Sequence, residues 1–140
     1  MCAIVDQRYP AWRDFFAEAQ LRRLAQSSGV DLRDYFRMLR LSIARIGALP
    51  KLPVPDEILT DAEDAVRSDM LPIADDDRGW LARIQANHYP NLPSLDQLPE
   101  FARLQQGKYV LQYRNGGDWY DVQPLLRRAV DPGGNGAPHG

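Results

Sequence analysis

Few side chains in this sequence are equipped for chemistry. The chain has two histidines, His88 and His139, and a single cysteine, Cys2. A zinc site draws its ligands from several Cys, His or carboxylate side chains, so one interior histidine and one early cysteine do not build the usual kind. His139 lies in a Gly- and Pro-rich tail, and His88 falls at the expected end of a helix, where a cation suits the last carbonyls. No serine or cysteine sits in a recognisable nucleophile elbow. Gly116-Gly117 follows a strand-like run but opens no helix, so it is not a phosphate loop. Asp75, Asp76 and Asp77 precede Gly79, yet counting back from that glycine puts Ala74 at the first position of a calcium loop, where an oxygen ligand is required. Carboxylates are plentiful, and no pair stands out as acid and base. The expectation is a protein that is not an enzyme and carries no metal or cofactor.

What remains is charge and pattern. The net charge of −2 conceals an asymmetry: residues 1–55 carry +4, residues 56–100 carry −8 and residues 101–140 carry +2. A basic front and an acidic middle suit two different partners, or simply each other. At 140 residues with 44% apolar side chains the chain suits one domain, or one compact domain with a flexible tail. No apolar run approaches the roughly 18 residues of a membrane span, and the opening MCAIVDQR lacks the basic and long apolar regions of a secretion signal. With Cys2 alone no internal disulfide forms. These features predict a reducing cytoplasm and no membrane partner.

The chain is organised around residues 24–55. Gly29 suits a helix end because it takes a left-handed backbone without a Cβ clash. Asp31 is a good N-cap, and Asp34 adds negative charge to the first turn. Leu32, Tyr35, Phe36, Leu39, Ile43 and Ile46 then follow the spacing of one buried helix face. Arg33, Arg37 and Arg40 share a separate stripe. Gly47 ends the helix, and Pro50, Pro53 and Pro55 hold the exit extended. A helix-turn-helix pattern overlays the same stretch through Ala25, Gly29, Val30, Tyr35 and Met38.

The run GVDLRDYFRMLRLSIARIGALPKLPVPDE also resembles the second helix and proline exit of RelB/DinJ-type antitoxins, with Gly29, Ala48-Leu49-Pro50, Leu52 and Pro55-Asp56 on the positions of that pattern. The resemblance implies a ribbon-helix-helix dimer whose N-terminal strand, here residues 2–8, pairs with a second copy and reads DNA. It also implies a later helix that wraps a toxin, in a bacterial or phage setting.

Around this centre the elements fall in order. Pro10 is well placed for the first turn of a helix over residues 10–26, with apolar patches on two sides and Trp12 buried. Residues 56–70 form an acidic helix with an apolar stripe of Ile58, Ala62, Ala65 and Val66, and with Glu57, Asp61, Glu63 and Asp64 on the other side. That acidic side is either a solvated face or a cover for a basic protein. The aspartate triplet makes a turn before a short helix over residues 78–87. Ser94 caps a helix through Gln106, with Leu98, Phe101 and Leu104 inward and Gly107 as the stop. Residues 109–122 read as a β-hairpin about Asn115-Gly116, a pair suited to a two-residue type I′ turn. That loop pairs Tyr113 with Asp118, Leu111 with Tyr120 and Tyr109 with Val122, and puts Trp119 on the outer face. There Trp119 is either covered by Leu125 and Leu126 or is a contact anchor.

The expected fold class is α+β and mostly helical, with an N-terminal helical hairpin (ribbon-helix-helix under the resemblance), acidic middle helices and a C-terminal β-hairpin. The expected organisation is a dimerisation and DNA-binding region over 1–55, a partner-binding region over 56–130 and a disordered tail over 131–140. The expected function is an antitoxin-like module that neutralises a basic protein partner and binds operator DNA as a homodimer. The alternative is a bacterial or phage inhibitor or immunity-type protein acting only by protein–protein binding. Arg33, Arg37 and Arg40 are the candidate DNA contacts, and Asp61, Asp64, Asp69 and Trp119 the candidate partner contacts.

Overall fold

The computed structural model describes residues 4, 5, 7, 11–46, 52–90 and 94–130. The chain is α+β and mostly helical, with one antiparallel two-stranded sheet near its C-terminus. It divides into two compact units, Met1–Asp69 and Met70–Gly140. The division falls after the acidic helix rather than before it at residue 55. The acidic and basic helices therefore share a unit.

In the first unit the described helices are α1 (Trp12–Phe15), α2 (Glu18–Ser27), α3 (Leu32–Ile46) and α4 (Asp56–Ser68). The single helix expected over 10–26 is broken, because Phe16 and Ala17 are extended. The break frees the Phe15 carbonyl to accept from Val54 N–H at 2.8 Å. Gln20 completes the corner: its Oε1 accepts from Ala17 N–H at 3.0 Å, and its Nε2 donates to Val54 O at 2.6 Å and to Asp56 Oδ1 at 3.0 Å. Phe16 and Val54 are both buried. Long-range packing here overrides local helix preference.

The turn between α2 and α3 is satisfied group by group. Val30 N–H donates to Ala25 O at 3.2 Å and Gly29 N–H to Gln26 O at 3.0 Å, the bonding of a Schellman turn. Gly29 takes φ 64 as expected, and Val30 follows at φ 67 with its side chain 61% exposed. Asp31 caps α3, its Oδ1 accepting from Asp34 N–H at 3.0 Å. The buried face of α3 is Tyr35, Met38, Leu39, Ser42 and Ile46, rotated so that Leu32 stays exposed. Helices α2, α3 and α4 pack against one another, burying Leu21 and Leu24 from α2 and Ile58, Leu59, Ala62 and Val66 from α4.

One expectation for this unit is overturned. The candidate strand over 2–8 is helical at its described residues Ile4, Val5 and Gln7, and Val5 is buried. A ribbon needs extended backbone with free edge groups, and these residues do not supply it. Gly47, Ala48-Leu49-Pro50 and the tail over 131–140 lie outside the described residues.

The second unit runs α5 (Asp75–Asn87), a 3₁₀ turn (Leu95–Gln97), α6 (Leu98–Gln106), β1 (Val110–Arg114), β2 (Asp118–Val122), a second 3₁₀ turn (Pro124–Leu126) and α7 (Arg127–Val130). Its core is Ile73, Trp80, Leu81, Ile84, Phe101, Leu104, Val110, Val122, Leu126 and Val130. The aspartate triplet is the first turn of α5 rather than a turn before it, where carboxylates complement the helix dipole. Ser94 makes no side-chain cap, and Leu98 is exposed. The chain leaves α6 through Lys108, which takes φ 62, while Gly107 keeps a right-handed helical backbone.

Gly107 is required for a different reason. A Cβ there would lie 2.8 Å from the Tyr109 ring, which packs on the core and donates its hydroxyl to Met70 O at 3.1 Å. Gly107→Ala is expected to destabilise the protein by about 1–2 kcal/mol, the cost of displacing an anchored ring. Chemical denaturation of the two proteins, compared at constant m-value, checks this.

Candidate protein-binding surfaces

The candidate contact residues fall in two groups, the charges on α3 and α4 and the outer face of the hairpin. In the first unit the charges meet each other. Arg37, expected on DNA, pairs with Asp69, expected on a protein partner. Arg45 pairs with Asp61 at 2.9 Å, and Asp64 pairs with Arg67 on its own helix. The side chains of Arg37, Asp69, Arg45 and Asp61 are each roughly half exposed, so these pairs are worth about 0–1 kcal/mol apiece and exchange readily. Arg33 and Arg40 are exposed and form no ion pair with the described residues. The α3 N-terminus beside them carries Asp31 and Asp34, which oppose an approaching phosphate.

Glu63 departs furthest from its expected place on the solvated side. It is buried, and each of its oxygens is bonded. Arg23 reaches it with Nε at 3.1 Å and Nη2 at 2.9 Å, and Ser27 Oγ donates at 2.7 Å. Arg23 Nη2 also donates to Thr60 Oγ1 at 2.9 Å. The bonded carboxylate holds the guanidinium above its ordinary pKa, against the opposing effect of burial. The apolar spacing of α4 did reach the correct face. What it missed is that a carboxylate on that face has a forked arginine opposite.

In the second unit the hairpin register is one residue from the expected one. Val110 pairs with Val122, Leu111 with Asp121, Gln112 with Tyr120, Tyr113 with Trp119 and Arg114 with Asp118. The loop is therefore the three residues 115–117, with Gly116 at φ 76 and Arg114 Nε bonded to Asp118 Oδ1 at 2.9 Å across its base. A one-residue slip exchanges the faces of a strand. Val110 and Val122 go to the core, and Tyr120 packs there with its ring 5.1 Å from Phe101. Leu111, Tyr113, Trp119 and Asp121 share the other face. The division expected for β2 holds, and that for β1 is inverted.

On that outer face Trp119 stacks on Tyr113 with ring centroids 4.5 Å apart, and the His88 ring meets Trp119 edge-on at 5.7 Å. Leu126, one of the two leucines expected to cover Trp119, belongs to the core instead. Asp121 is buried beside the aromatic pair, bonded by Val122 N–H at 2.8 Å and by Arg127 Nη2 at 2.7 Å. His88 ends α5 in a left-handed conformation, and its carbonyl accepts from Tyr120 N–H at 2.9 Å. Its Nδ1 lies 3.3 Å from Tyr120 O and 3.9 Å from Asp121 Oδ1. His88 thus clasps the end of α5 to β2, a part the sequence reading confined to the helix end. The Tyr113 hydroxyl titrates above its ordinary value, chiefly through burial and secondarily through Asp121, with Arg127 opposing.

Among the described residues no group of three or more His, Cys, Asp or Glu side chains could hold a metal ion, and no helix is long and apolar enough to cross a membrane. No family model, curated protein or solved structure matches the chain.

Two outcomes follow from this geometry. Glu63→Gln leaves Arg23 without its counter-charge, and an expected loss of about 2 kcal/mol in unfolding free energy is lower than for a fully buried pair because Arg23 keeps partial solvent access. Equilibrium urea unfolding measures it. For Tyr113 the folded-state pKa is raised, so its contribution is fully present below the unfolded value near 10 and is lost as pH rises through the folded value. Wild-type stability should therefore fall more steeply than that of Tyr113→Phe in alkaline solution, as read from midpoints measured across that range.

Proposed function

We propose that this chain works by binding a protein partner, as an inhibitor or immunity-type protein does, and that it does so without DNA. The observation that carries the reading is the outer face of the hairpin. Tyr113 and Trp119 form a half-buried aromatic pair on the face turned away from the core, edged by His88 and by the ion pair of Asp121 with Arg127. An aromatic centre with a polar rim is the composition of a binding hot spot. Trp119 is its natural anchor.

The antitoxin-like reading keeps its protein-neutralising half here. Its DNA half has less to support it, because Asp31 and Asp34 stand at the start of the arginine-bearing helix and Ile4, Val5 and Gln7 are helical. Asp61, Asp64 and Asp69 stay available to a basic partner only by exchanging Arg45, Arg67 and Arg37 for it. Such an exchange of exposed pairs costs little.

The test is affinity capture from the native host with the full chain, read by mass spectrometry and then by titration of the purified partner. Wild type is expected to retain one protein in stoichiometric amount. Trp119→Ala and Tyr113→Ala should each weaken it at least about tenfold, the loss of roughly 1.4 kcal/mol or more at an anchor position. Arg33→Ala/Arg40→Ala should leave it unchanged. Salt-dependent binding of duplex DNA, abolished by that double variant, would instead restore the DNA reading.

A further inference from the structure

The two outer edges of the sheet are finished differently. Gln123 N–H donates to Tyr109 O at 2.9 Å, which makes that pair a hydrogen-bonded one. By the two-residue alternation of an antiparallel ladder, Leu111–Asp121 and Tyr113–Trp119 are hydrogen-bonded pairs too. The main-chain groups of Gln112 and Arg114 therefore point away from β2, and those of Tyr120 and Val122 point away from β1.

The β2 edge is closed. Tyr120 N–H is taken by His88 O at 2.9 Å and Val122 N–H by the Asp121 carboxylate at 2.8 Å, with Arg127 holding that carboxylate. On the β1 edge no hydrogen bond from a described residue reaches the main chain of Gln112 or Arg114, and both residues are exposed. Val110, at the foot of the strand, is 1% exposed, so the open stretch is residues 112–114. Protein sheets ordinarily blunt such edges.

We propose that a second copy of this chain occupies the open edge, the two β1 strands pairing antiparallel to make a four-stranded sheet. Three features suit the edge to a second copy. With β2 closed, addition happens at one edge only, so pairing of like with like is two-fold and stops at two chains. With Val110 buried, the outward groups available are those of Gln112 and Arg114. The two-fold axis then passes through Tyr113, and each Gln112 exchanges hydrogen bonds with the partner's Arg114. In that register no arginine directly faces another, and each keeps its own Asp118 at 2.9 Å. The two Tyr113 side chains meet at the close spacing of a non-hydrogen-bonded pair, on the face that already carries Trp119. The dimer does not rest on the protein-binding reading, and either can fail alone.

Sedimentation velocity on the full chain tests it. The wild type is expected to shift from one chain to two with rising concentration. Gln112→Pro removes an N–H that the chain's own hairpin does not use, at an edge position that tolerates proline, so it should sediment as a single chain with an unchanged far-ultraviolet spectrum. Tyr113→Cys in a Cys2→Ser background should oxidise to a disulfide-linked pair. A wild type that remains one chain at roughly 1 mM, a folded Gln112→Pro protein that still pairs, or failure of the Tyr113→Cys cross-link overturns the proposal. If Gln112→Pro does not fold, the cross-link decides.

Discussion

Glu63 sits on the packed face of α4, where an apolar side chain would ordinarily go, and the first unit is arranged so that it never lacks a donor. Arg23 forks onto both of its oxygens and Ser27 adds a hydroxyl, all from α2. Apolar contact between α2 and α4 would tolerate sliding, because hydrophobic burial has no direction. A planar guanidinium meeting a carboxylate edge-on does not. One polar contact therefore sets how α2 lies on α4. Gln20 makes a similar link one turn earlier, to Val54 and Asp56 at the approach to α4. The broken first helix follows from the same demand, because Phe15 must offer its carbonyl to Val54.

What could be read from the sequence was what local chemistry decides. The Gly29 turn, the Asp31 cap, the extent of α3 and the burial of Trp12 all rest on contacts within a few residues or on one periodic face. The mostly helical α+β class and the late hairpin followed from the same signals. What could not be read depended on distant partners. Nothing near Phe16 announces a break, since its cause is Val54. Nothing in Asn115-Gly116-Gly117 distinguishes a two-residue loop from a three-residue one, and burial of Val110 against Val122 decides it. Of the candidate contacts, Arg37 and Asp69 have charges suited to opposite partners, and they pair with each other. Charge asymmetry along a chain is equally compatible with outside partners and with its own folding, and spacing alone does not choose between them.

The two units offer different kinds of surface. In the first, the described charges are largely committed to neighbours by pairs weak enough to be remade. In the second, the stacked Tyr113 and Trp119 rings make a fixed aromatic centre, with Asp121 buried on the same face and held by Arg127 and the Val122 N–H. Rigid aromatic rings lose little freedom when they are covered, whereas long charged side chains lose much. A surface built on Tyr113 and Trp119 is thus better suited to tight recognition than one built on the arginine stripe of α3.

The turn between α2 and α3 holds an unused reserve. Val30 occupies a left-handed backbone conformation that a β-branched residue enters at a cost of order 1–3 kcal/mol. Its side chain, pointing largely into water, recovers little of that cost by packing. Asparagine or glycine would relax the same geometry. The turn has therefore not been optimised for robustness, and the fold keeps a margin at this corner that laboratory evolution towards heat resistance would find early.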